Sequence, residues 1–190
     1  MTSAEVVALI GPRASGKTSV GRELARRLGW PFVDLDDEIA RRDAEARGST
    51  DPLPAGRILE RDGEAAFRDL ESRALEAAFS RPRPFVLATG GGVVERRENR
   101  TMLSRRATCV WLRVAPAELE RRLRSDPTPR PSLTGADPAE EITAVLERRE
   151  PLYAEICDIE LDGRGLRVGE AARRVAERLG RGRPGGCGGA

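Results

Sequence analysis

The segment that most constrains this chain is residues 5–20, where a run of apolar residues ends abruptly at a glycine-rich turn. The turn fits the pattern GxxxxGK[ST], completed by Gly11, Gly16, Lys17 and Thr18. The two glycines allow backbone angles that a Cβ would forbid, so the N–H groups of the loop can point inward. A buried strand, such a loop and a following helix together predict a site for phosphate groups.

Lys17 and Thr18 have the chemistry that a bound nucleotide requires. An ammonium group can reach the β and γ phosphates, and a hydroxyl group suits Mg²⁺, which prefers oxygen ligands. Lys17 is also the only lysine among 33 basic residues. The alternative is a chance glycine-rich turn. It is disfavoured because an arginine fork does not replace a compact ammonium, and lysine occurs only where this loop needs it.

Length and composition limit the possible classes of protein. A chain of 190 residues is expected to form one domain with one core. With 39% hydrophobic and 34% charged residues, it resembles a folded globular protein. The net charge of only +2 argues against a general nucleic-acid binder, so no nucleic-acid partner is expected.

Cysteine and histidine usage narrows the chemistry further. The three cysteines, Cys109, Cys157 and Cys187, are widely spaced, which fits a reducing compartment better than a disulfide framework. The chain has no histidine, so a general base has to be a carboxylate or water. No apolar run approaches 18 residues and the N-terminus lacks a signal-peptide pattern, so we expect a cytoplasmic protein without membrane contact.

Hydrophobic periodicity predicts strands that alternate with helices, hence a parallel sheet covered by helices on both faces. After the first strand, further strands are predicted at 30–35, 85–89, 107–114 and 157–161. Helices are predicted at 17–28, from 62–64 to about 79, around 102–103, from 116, at 137–156 and at 168–179. The last helix is expected to face inward with Val168, Ala172, Val175 and Leu179. Residues 43–57 are read as a loop or insertion.

Two acidic residues, Asp34 and Asp36, follow the second strand. Strand alternation would point both toward the carboxyl edge of the sheet, where ligands of open α/β sheets bind. Asp34 could then hold a Mg²⁺ water and Asp36 a substrate hydroxyl. The competing interpretation is a solvated turn that caps a helix.

Two later segments allow both a functional and a purely structural interpretation. Gly90, Gly91 and Gly92 follow the third strand, where they permit close backbone approach to a ligand or form a flexible turn. The arginines of the proline-rich segment from residue 124 could be solvated, or could belong to a mobile lid that closes over a nucleotide. Arg68 by itself reads as a surface residue.

Taken together in order, these motifs resemble the shikimate kinase family over about residues 5–180. The matching stretches are the phosphate loop, the acidic pair after strand 2, Gly-Glu-x-x-Phe-Arg-x-x-Glu at 63–71, the glycines at 90–92, Arg-Pro-x-Leu at 130–133 and Arg-x-Pro-Leu-Tyr at 149–153. The loop alone occurs in many NTPases, whereas the combination is specific.

The resemblance implies a fold and a reaction. The fold is that of a P-loop NTPase of the nucleoside-monophosphate-kinase-like type, with a five-stranded parallel sheet of order 2-3-1-4-5. The reaction transfers the γ-phosphate of ATP to the 3-hydroxyl of shikimate, in the pathway to chorismate and the aromatic amino acids. Mg²⁺ is the implied cofactor.

The resemblance also implies roles for individual residues. Asp36 is expected to contact the ring hydroxyls, Arg68 and Arg149 to hold the substrate carboxylate, and Gly90 to Gly92 to line the substrate. Lys17, Asp36 and Arg130 form the expected catalytic set, and Thr18 with Asp34 the metal set. The expected ATP-binding residues are Ala14, Ser15, Gly16, Lys17, Thr18, Ser19, Arg124 and Arg130.

The domain plan follows from the same resemblance. Residues 1–180 are expected to form one domain and to act as a monomer, with a lid at about 124–137 and a substrate-binding segment at about 36–70. Residues 181–190, which are rich in glycine, are expected to be a disordered tail. Two departures from the family pattern are Ala14, where glycine is common, and a longer segment at 43–57.

Two other functions remain open from the sequence alone. Another small-molecule kinase of this fold, such as gluconate kinase, would keep the loop but need not combine Asp36, Arg68 and Arg149. A nucleotide switch of the small GTPase class would read guanine through Asn-Lys-x-Asp. The chain has one asparagine, Asn99, and it is followed by arginine.

Overall fold

The computed structural model describes residues 6–125 and 138–180, with side chains of the second range described from residue 142. The described strands are β1 Val6–Ile10, β2 Phe32–Asp34, β3 Phe85–Ala88, β4 Thr108–Arg113 and β5 Ile159–Asp162. The described helices are α1 Lys17–Leu28, α2 Leu35–Ala46, α3 Ala55–Ala78, α4 Arg97–Arg106, α5 Pro116–Ser125, α6 Pro138–Ile156 and α7 Val168–Gly180. Arg130, the rest of the predicted lid from residue 126, and the predicted tail lie outside the described residues.

The five strands form one parallel sheet in the order β2-β3-β1-β4-β5, which confirms the predicted fold class. Leu9 of β1 and Asp34 of β2 both pair with Ala88 of β3, so these three strands end at nearly the same level. The Thr89 hydroxyl donates to the Leu9 carbonyl (2.9 Å) and fixes this alignment. The segments that follow β1, β2 and β3 therefore meet at one edge of the sheet.

Both faces of the sheet are buried, which explains why β1 is an unbroken apolar run rather than an alternating one. One face packs against α1 and α7, through side chains such as Leu24 and Val175. The other packs against a layer that includes α3, α4 and α6, through Leu75, Leu103 and Tyr153. The helices cover both faces of the sheet, and its carboxyl edge is left for the site.

The interpretation of residues 43–57 as a loop is wrong at both ends, because α2 continues to Ala46 and α3 begins at Ala55. Residues 47–54 do form a loop, whereas part of the polar composition at the ends of the segment serves ion pairing. Asp43 is buried, and its carboxylate pairs with Arg47 one turn later and with Arg61 of α3. The pair with Arg61 connects the two helices at a position that sequence composition alone assigns to solvent.

Helix α3 also starts earlier than predicted, although the predicted start at residues 62–64 marks a real break. Gly63 has φ 79° and ψ 169°, which is not helical, so two helical segments meet there. Only a glycine adopts this conformation without strain. The second segment carries Phe67 and Arg68 on its buried side.

The predicted ends of two strands and the predicted burial of Val168 also need correction. Strands β2 and β5 begin two residues later than predicted, and Leu35 belongs to α2 rather than to β2. Val168 is 41% exposed and does not face the core, because it is the first residue of α7 and Leu166 packs against that core face instead. No helix within the described ranges has the length and apolar character needed to cross a membrane.

Candidate active site

The phosphate loop connects β1 to α1 and has the backbone that its glycines predict. Gly11 and Gly16 have φ values of 136° and 96°, in the region that side chains disfavour. A Cβ on Gly11 would also lie 2.7 Å from the Leu112 carbonyl oxygen of β4. The loop therefore packs closely over the sheet edge and opens into the N-terminus of α1, where backbone N–H groups attract anions.

Lys17 is buried at the start of α1, with its ammonium group folded back over the loop. The Nζ atom donates to the carbonyl oxygens of Gly11 (2.9 Å) and Pro12 (2.7 Å). These contacts hold the single lysine at the mouth of the loop, within the space that phosphate groups would occupy. Ser15 is buried beside it, whereas Thr18 and Ser19 are exposed on the first turn of α1.

Ala14 is the only non-glycine residue with positive φ (61°) in the described ranges. Its methyl group packs on a small cluster formed by Val114, Leu119 and Leu146, with Ile142 alongside. These residues belong to the strand end and the helices α5 and α6. The left-handed backbone of Ala14 is thus opposed by a packing contact that glycine could not make.

Among the arginines of α5, the structure brings Arg122 to the phosphate loop rather than Arg124. Arg122 Nη1 donates to the carbonyl oxygens of Ala14 and Ser15 (3.3 Å each), while its Nε pairs with Glu118. Arg124 is 70% exposed and pairs with Glu120 at 2.5 Å. Arg122 is therefore the described arginine of α5 in position to contact a nucleotide held by this loop.

Asp34 forms one hydrogen bond at the start of α2 and a second one to the phosphate loop side of the site. Its Oδ1 atom accepts from the Asp36 backbone N–H (3.0 Å) and caps α2, while Oδ2 accepts from the Thr18 hydroxyl (2.9 Å). The capping contact explains the acidic residue at the helix start. The second contact places two oxygen atoms side by side next to the phosphate loop, and oxygen atoms are what a hard divalent cation prefers.

The first two of the three glycines after β3 allow close approach of separate parts of the site. A Cβ on Gly90 would lie 2.9 Å from Glu71 Oε1 and 3.3 Å from Asp36 Oδ1. A Cβ on Gly91 would lie 3.1 Å from the Arg13 backbone nitrogen in the phosphate loop. The backbone at these positions therefore separates the two carboxylates from the loop by little more than its own thickness.

Gly92 makes room for Arg68, which the sequence alone would place on the surface. Arg68 is buried, and a Cβ on Gly92 would lie 2.1 Å from its Nη2 atom and 2.4 Å from its Cζ atom. Arg68 Nη1 donates to Glu71 (2.9 Å). Burial raises the pKa of Glu71 and Asp36 raises it further, although Arg68 opposes both effects.

Arg149 of α6, which lies much later in the chain, also reaches the region around Arg68. Glu95 contacts both arginines. Glu95 Oε1 lies 2.9 Å from both Nε and Nη2 of Arg149, and Glu95 Oε2 lies 3.2 Å from Arg68 Nε. The exposed Arg148 also contacts Glu95 Oε1 (2.7 Å). Two buried guanidinium groups thus face one carboxylate at the rim of the site, an arrangement suited to binding anions.

Tyr153, one turn after Arg149 in α6, contacts the segment Gly90 to Gly92. Its hydroxyl donates to the Gly91 carbonyl (2.5 Å), and its ring packs against Trp111 with centroids 5.8 Å apart. Burial raises the pKa of Tyr153, so the hydroxyl stays protonated and remains a donor. The position of Gly91 is therefore fixed by a side chain from α6.

Comparison with known proteins identifies the family to which the chain is similar. The shikimate kinase family model matches residues 13–180. A shikimate kinase from Parasynechococcus marenigrum is 48% identical over 147 residues, covering 77% of this chain and 72% of the relative. One from Paracidovorax citrulli is 43% identical over 174 residues, covering 90% of each.

The chain belongs to the shikimate kinase family. Among solved structures, the shikimate kinase of Acinetobacter baumannii in complex with shikimate superposes with a TM-score of 0.81 at 32% identity, covering 93% of each chain. The resemblance inferred from the motifs is thereby confirmed, and the chain is a kinase that uses ATP. The family of the relatives also decides against the nucleotide-switch interpretation.

The structure adds four residues to the site expected of a shikimate kinase: Glu71, Glu95, Arg122 and Tyr153. Glu71 and Tyr153 lie inside motifs that matched the family, so a signal for them was present in the sequence. Arg122 and Glu95 had none, because the chain is rich in both arginine and acidic residues and their roles depend on which helix face turns inward.

Proposed function

We propose that this chain transfers the γ-phosphoryl group of ATP to the 3-hydroxyl of shikimate, giving shikimate 3-phosphate and ADP. The observation that carries the proposal is the position of Gly90 to Gly92. Along three residues this segment touches the carboxylates of Asp36 and Glu71, then the phosphate loop, then Arg68. A phosphate donor and a small acidic acceptor held by these groups would be adjacent.

The phosphate loop would bind ATP, the phosphate donor. Its N–H groups and the N-terminus of α1 would hold the phosphates, with Ser15, Gly16 and Ser19 contributing to this cradle. Lys17 would leave the carbonyl oxygens it contacts here and turn to the β and γ phosphates, where it neutralises developing charge. Arg122 would lie beside the nucleotide, and Arg130 remains the proposed lid arginine.

Thr18 and Asp34 are the residues that would hold Mg²⁺ with the nucleotide. The two oxygen atoms already in contact at 2.9 Å fit a cation that keeps several waters and takes few protein ligands. Within the described ranges no cluster of three acidic or cysteine residues forms a separate metal site. When bound, Mg²⁺ would neutralise charge on the phosphate oxygens.

The groups on the other side of the segment Gly90 to Gly92 would bind shikimate, the phosphate acceptor. The forked donors of Arg68 and Arg149 would hold the shikimate carboxylate. Asp36 would orient the attacking hydroxyl and accept its proton, since the chain has no histidine to do so. Glu71 would keep Arg68 in place. Positioning and charge neutralisation supply most of the catalysis that phosphoryl transfer needs.

The remaining parts of the proposal concern organisation. We infer that residues 1–180 act as one domain and as a monomer in the cytoplasm, without nucleic acid or membrane as partners. The segment 36–70 would contribute to the shikimate side of the site, because it holds Asp36 and Arg68. Sedimentation of the purified protein with and without ATP would test the monomer.

A coupled assay of ADP release tests the function. With Mg-ATP, the purified protein should turn over with shikimate and not with gluconate or nucleoside monophosphates. Equal ADP release with and without shikimate would refute the proposal.

The two arginines give a sharper test. Arg68→Ala or Arg149→Ala should weaken shikimate binding by roughly 10- to 100-fold, because each removes a charge-assisted contact worth about 1.5–3 kcal/mol. The KM for ATP should change much less. Arg174→Ala is the matched control, since Arg174 pairs with Glu170 on the surface of α7. Equal losses of affinity for shikimate and ATP would contradict the assigned roles.

A further inference from the structure

Glu95 occupies the arginine pair in a way that the proposed reaction does not explain. Its carboxylate lies within 3.2 Å of both Arg68 and Arg149, the two residues proposed to hold the carboxylate of the substrate. Arg68 and Arg149 are buried, whereas the Glu95 side chain is 19% exposed. A side chain at the rim thus reaches inward to the two cations.

The negative charge of Glu95 leaves the arginine pair with little attraction for a second anion. Burial by itself would raise the pKa of Glu95, but the guanidinium groups of Arg149 and Arg68 outweigh burial and hold the pKa below its ordinary value of 4.5. Glu95 is therefore ionised at neutral pH. Glu71 and Glu64 also lie beside Arg68, at 2.9 and 3.5 Å. A substrate carboxylate would meet an arginine pair that is already neutralised.

Glu95 neutralises charge on the two arginines but does not supply a well-aligned acceptor for all of their N–H groups. Arg68 Nε and Arg149 Nη2 are buried, and neither forms an aligned hydrogen bond within the described part of the chain. Both nevertheless lie within ion-pair distance of Glu95. A buried N–H group without an aligned acceptor is costly, so these two donors favour a better-placed carboxylate.

Arg148 gives Glu95 an alternative partner outside the pair. Its Nη2 atom contacts Glu95 Oε1 at 2.7 Å, and its side chain is 63% exposed. Glu95 can therefore release the two buried arginines and keep an ion pair at the surface. A small change of side-chain torsion suffices, because Arg148 is already in contact.

We propose that Glu95 is a displaceable internal carboxylate, which holds Arg68 and Arg149 through the contacts seen here and moves to Arg148 when a substrate carboxylate binds. The inference rests on the proposed function, since it requires an acidic acceptor at the arginine pair. Glu95 then sets the affinity for the acceptor and makes the site selective for anions strong enough to displace it. It is a specificity-determining residue rather than a catalytic one.

The first test is Glu95→Gln, which keeps the shape and removes the charge. The KM for shikimate should fall by roughly three- to tenfold, equivalent to about 0.7–1.4 kcal/mol, with a much smaller change in kcat. The methyl ester of shikimate, which carries no charge, should show no comparable gain. Glu98→Gln is the matched control, because Glu98 is an exposed acid three residues later, with Arg96 as its ion-pair partner.

The second test removes the alternative partner. Arg148→Gln should raise the KM for shikimate in the wild-type background, because Glu95 then loses the cation that it contacts outside the pair. In the Glu95→Gln background the same change should have little effect. Effects of Arg148→Gln that are equal in the two backgrounds would overturn the proposal.

The outcomes separate this inference from the proposed function. A higher or unchanged KM for Glu95→Gln would overturn the displacement and make Glu95 a support for the arginines. A gain of equal size for the methyl ester would also overturn it. If the wild-type protein does not phosphorylate shikimate at all, the proposed function fails and this inference fails with it.

Discussion

Replacing Gly92 with alanine is the most direct test of how the site is assembled. The backbone at Gly92 has φ −94° and ψ −1°, a negative-φ conformation that is sterically allowed for alanine. The main effect of the substitution is therefore the added methyl group. That group would lie 2.1 Å from Arg68 Nη2, far inside van der Waals contact.

The size of the effect follows from this overlap. Nη2 has to retreat by about 1.3 Å to reach ordinary contact with the methyl group at 3.4 Å. A displacement of about 1 Å in a positioning group costs on the order of 100-fold in rate, or roughly 2.7 kcal/mol. We therefore expect kcat/KM for shikimate to fall by about 100-fold. The KM for ATP should change by less than about threefold, since Arg68 lies on the acceptor side.

Coupled ADP release with varied shikimate and varied ATP measures both quantities. Gly169→Ala is the matched control, because a Cβ at Gly169 in α7 would meet its nearest atom at 3.7 Å. This control should keep full activity and gain up to about 1 kcal/mol of stability from the better helix former.

A double-mutant cycle shows whether Gly92 acts through Arg68. In an Arg68→Ala background the methyl group has no guanidinium to displace, so Gly92→Ala should then cost little more. Strictly additive losses, or an equal loss for ATP and shikimate, would refute the reasoning.

Two further predictions concern stability. Ala14→Gly should change the free energy of unfolding by less than about 1 kcal/mol, because relief of the left-handed backbone offsets the lost methyl burial; a loss above about 2 kcal/mol in urea unfolding would contradict this. Glu38 is buried, which raises its pKa, but hydrogen bonds from Arg41, Arg81 and Arg42 lower it overall. The ionised Glu38 should stabilise the fold by roughly 1 kcal/mol above pH 4.5, and this stabilisation should be lost as the pH falls through the lowered pKa. Glu38→Gln should therefore flatten the decline of Tm in acid. Equal slopes of Tm against pH for the variant and the wild-type protein would count against this role of Glu38.

The sequence by itself was enough to predict the class of fold and the phosphate loop. Both are encoded locally: apolar runs fix the strands, and the spacing of Gly11, Gly16 and Lys17 fixes the turn. The order of the sheet came from the family resemblance, and the pairing of the strands confirms it. Helix ends near residues 43–57 were missed because the ion pair between Asp43 of α2 and Arg61 of α3 is not visible in the composition of the segment.

The family resemblance indicated that Asp36, Arg68 and Arg149 share a site, but only the tertiary structure decided which other charged groups meet them there. Arg68 reads as a surface residue in isolation, yet it is buried between Gly92 and Glu71. Arg122 and Arg124 are two positions apart on α5, and only the phase of the helix directs Arg122 to the loop. Glu95 reaches its arginines from a turn that no local pattern distinguishes. The physical reason is the same in each case. Motif spacing specifies backbone shape over short distances, whereas the direction of a long charged side chain depends on the packing of elements far apart in the chain.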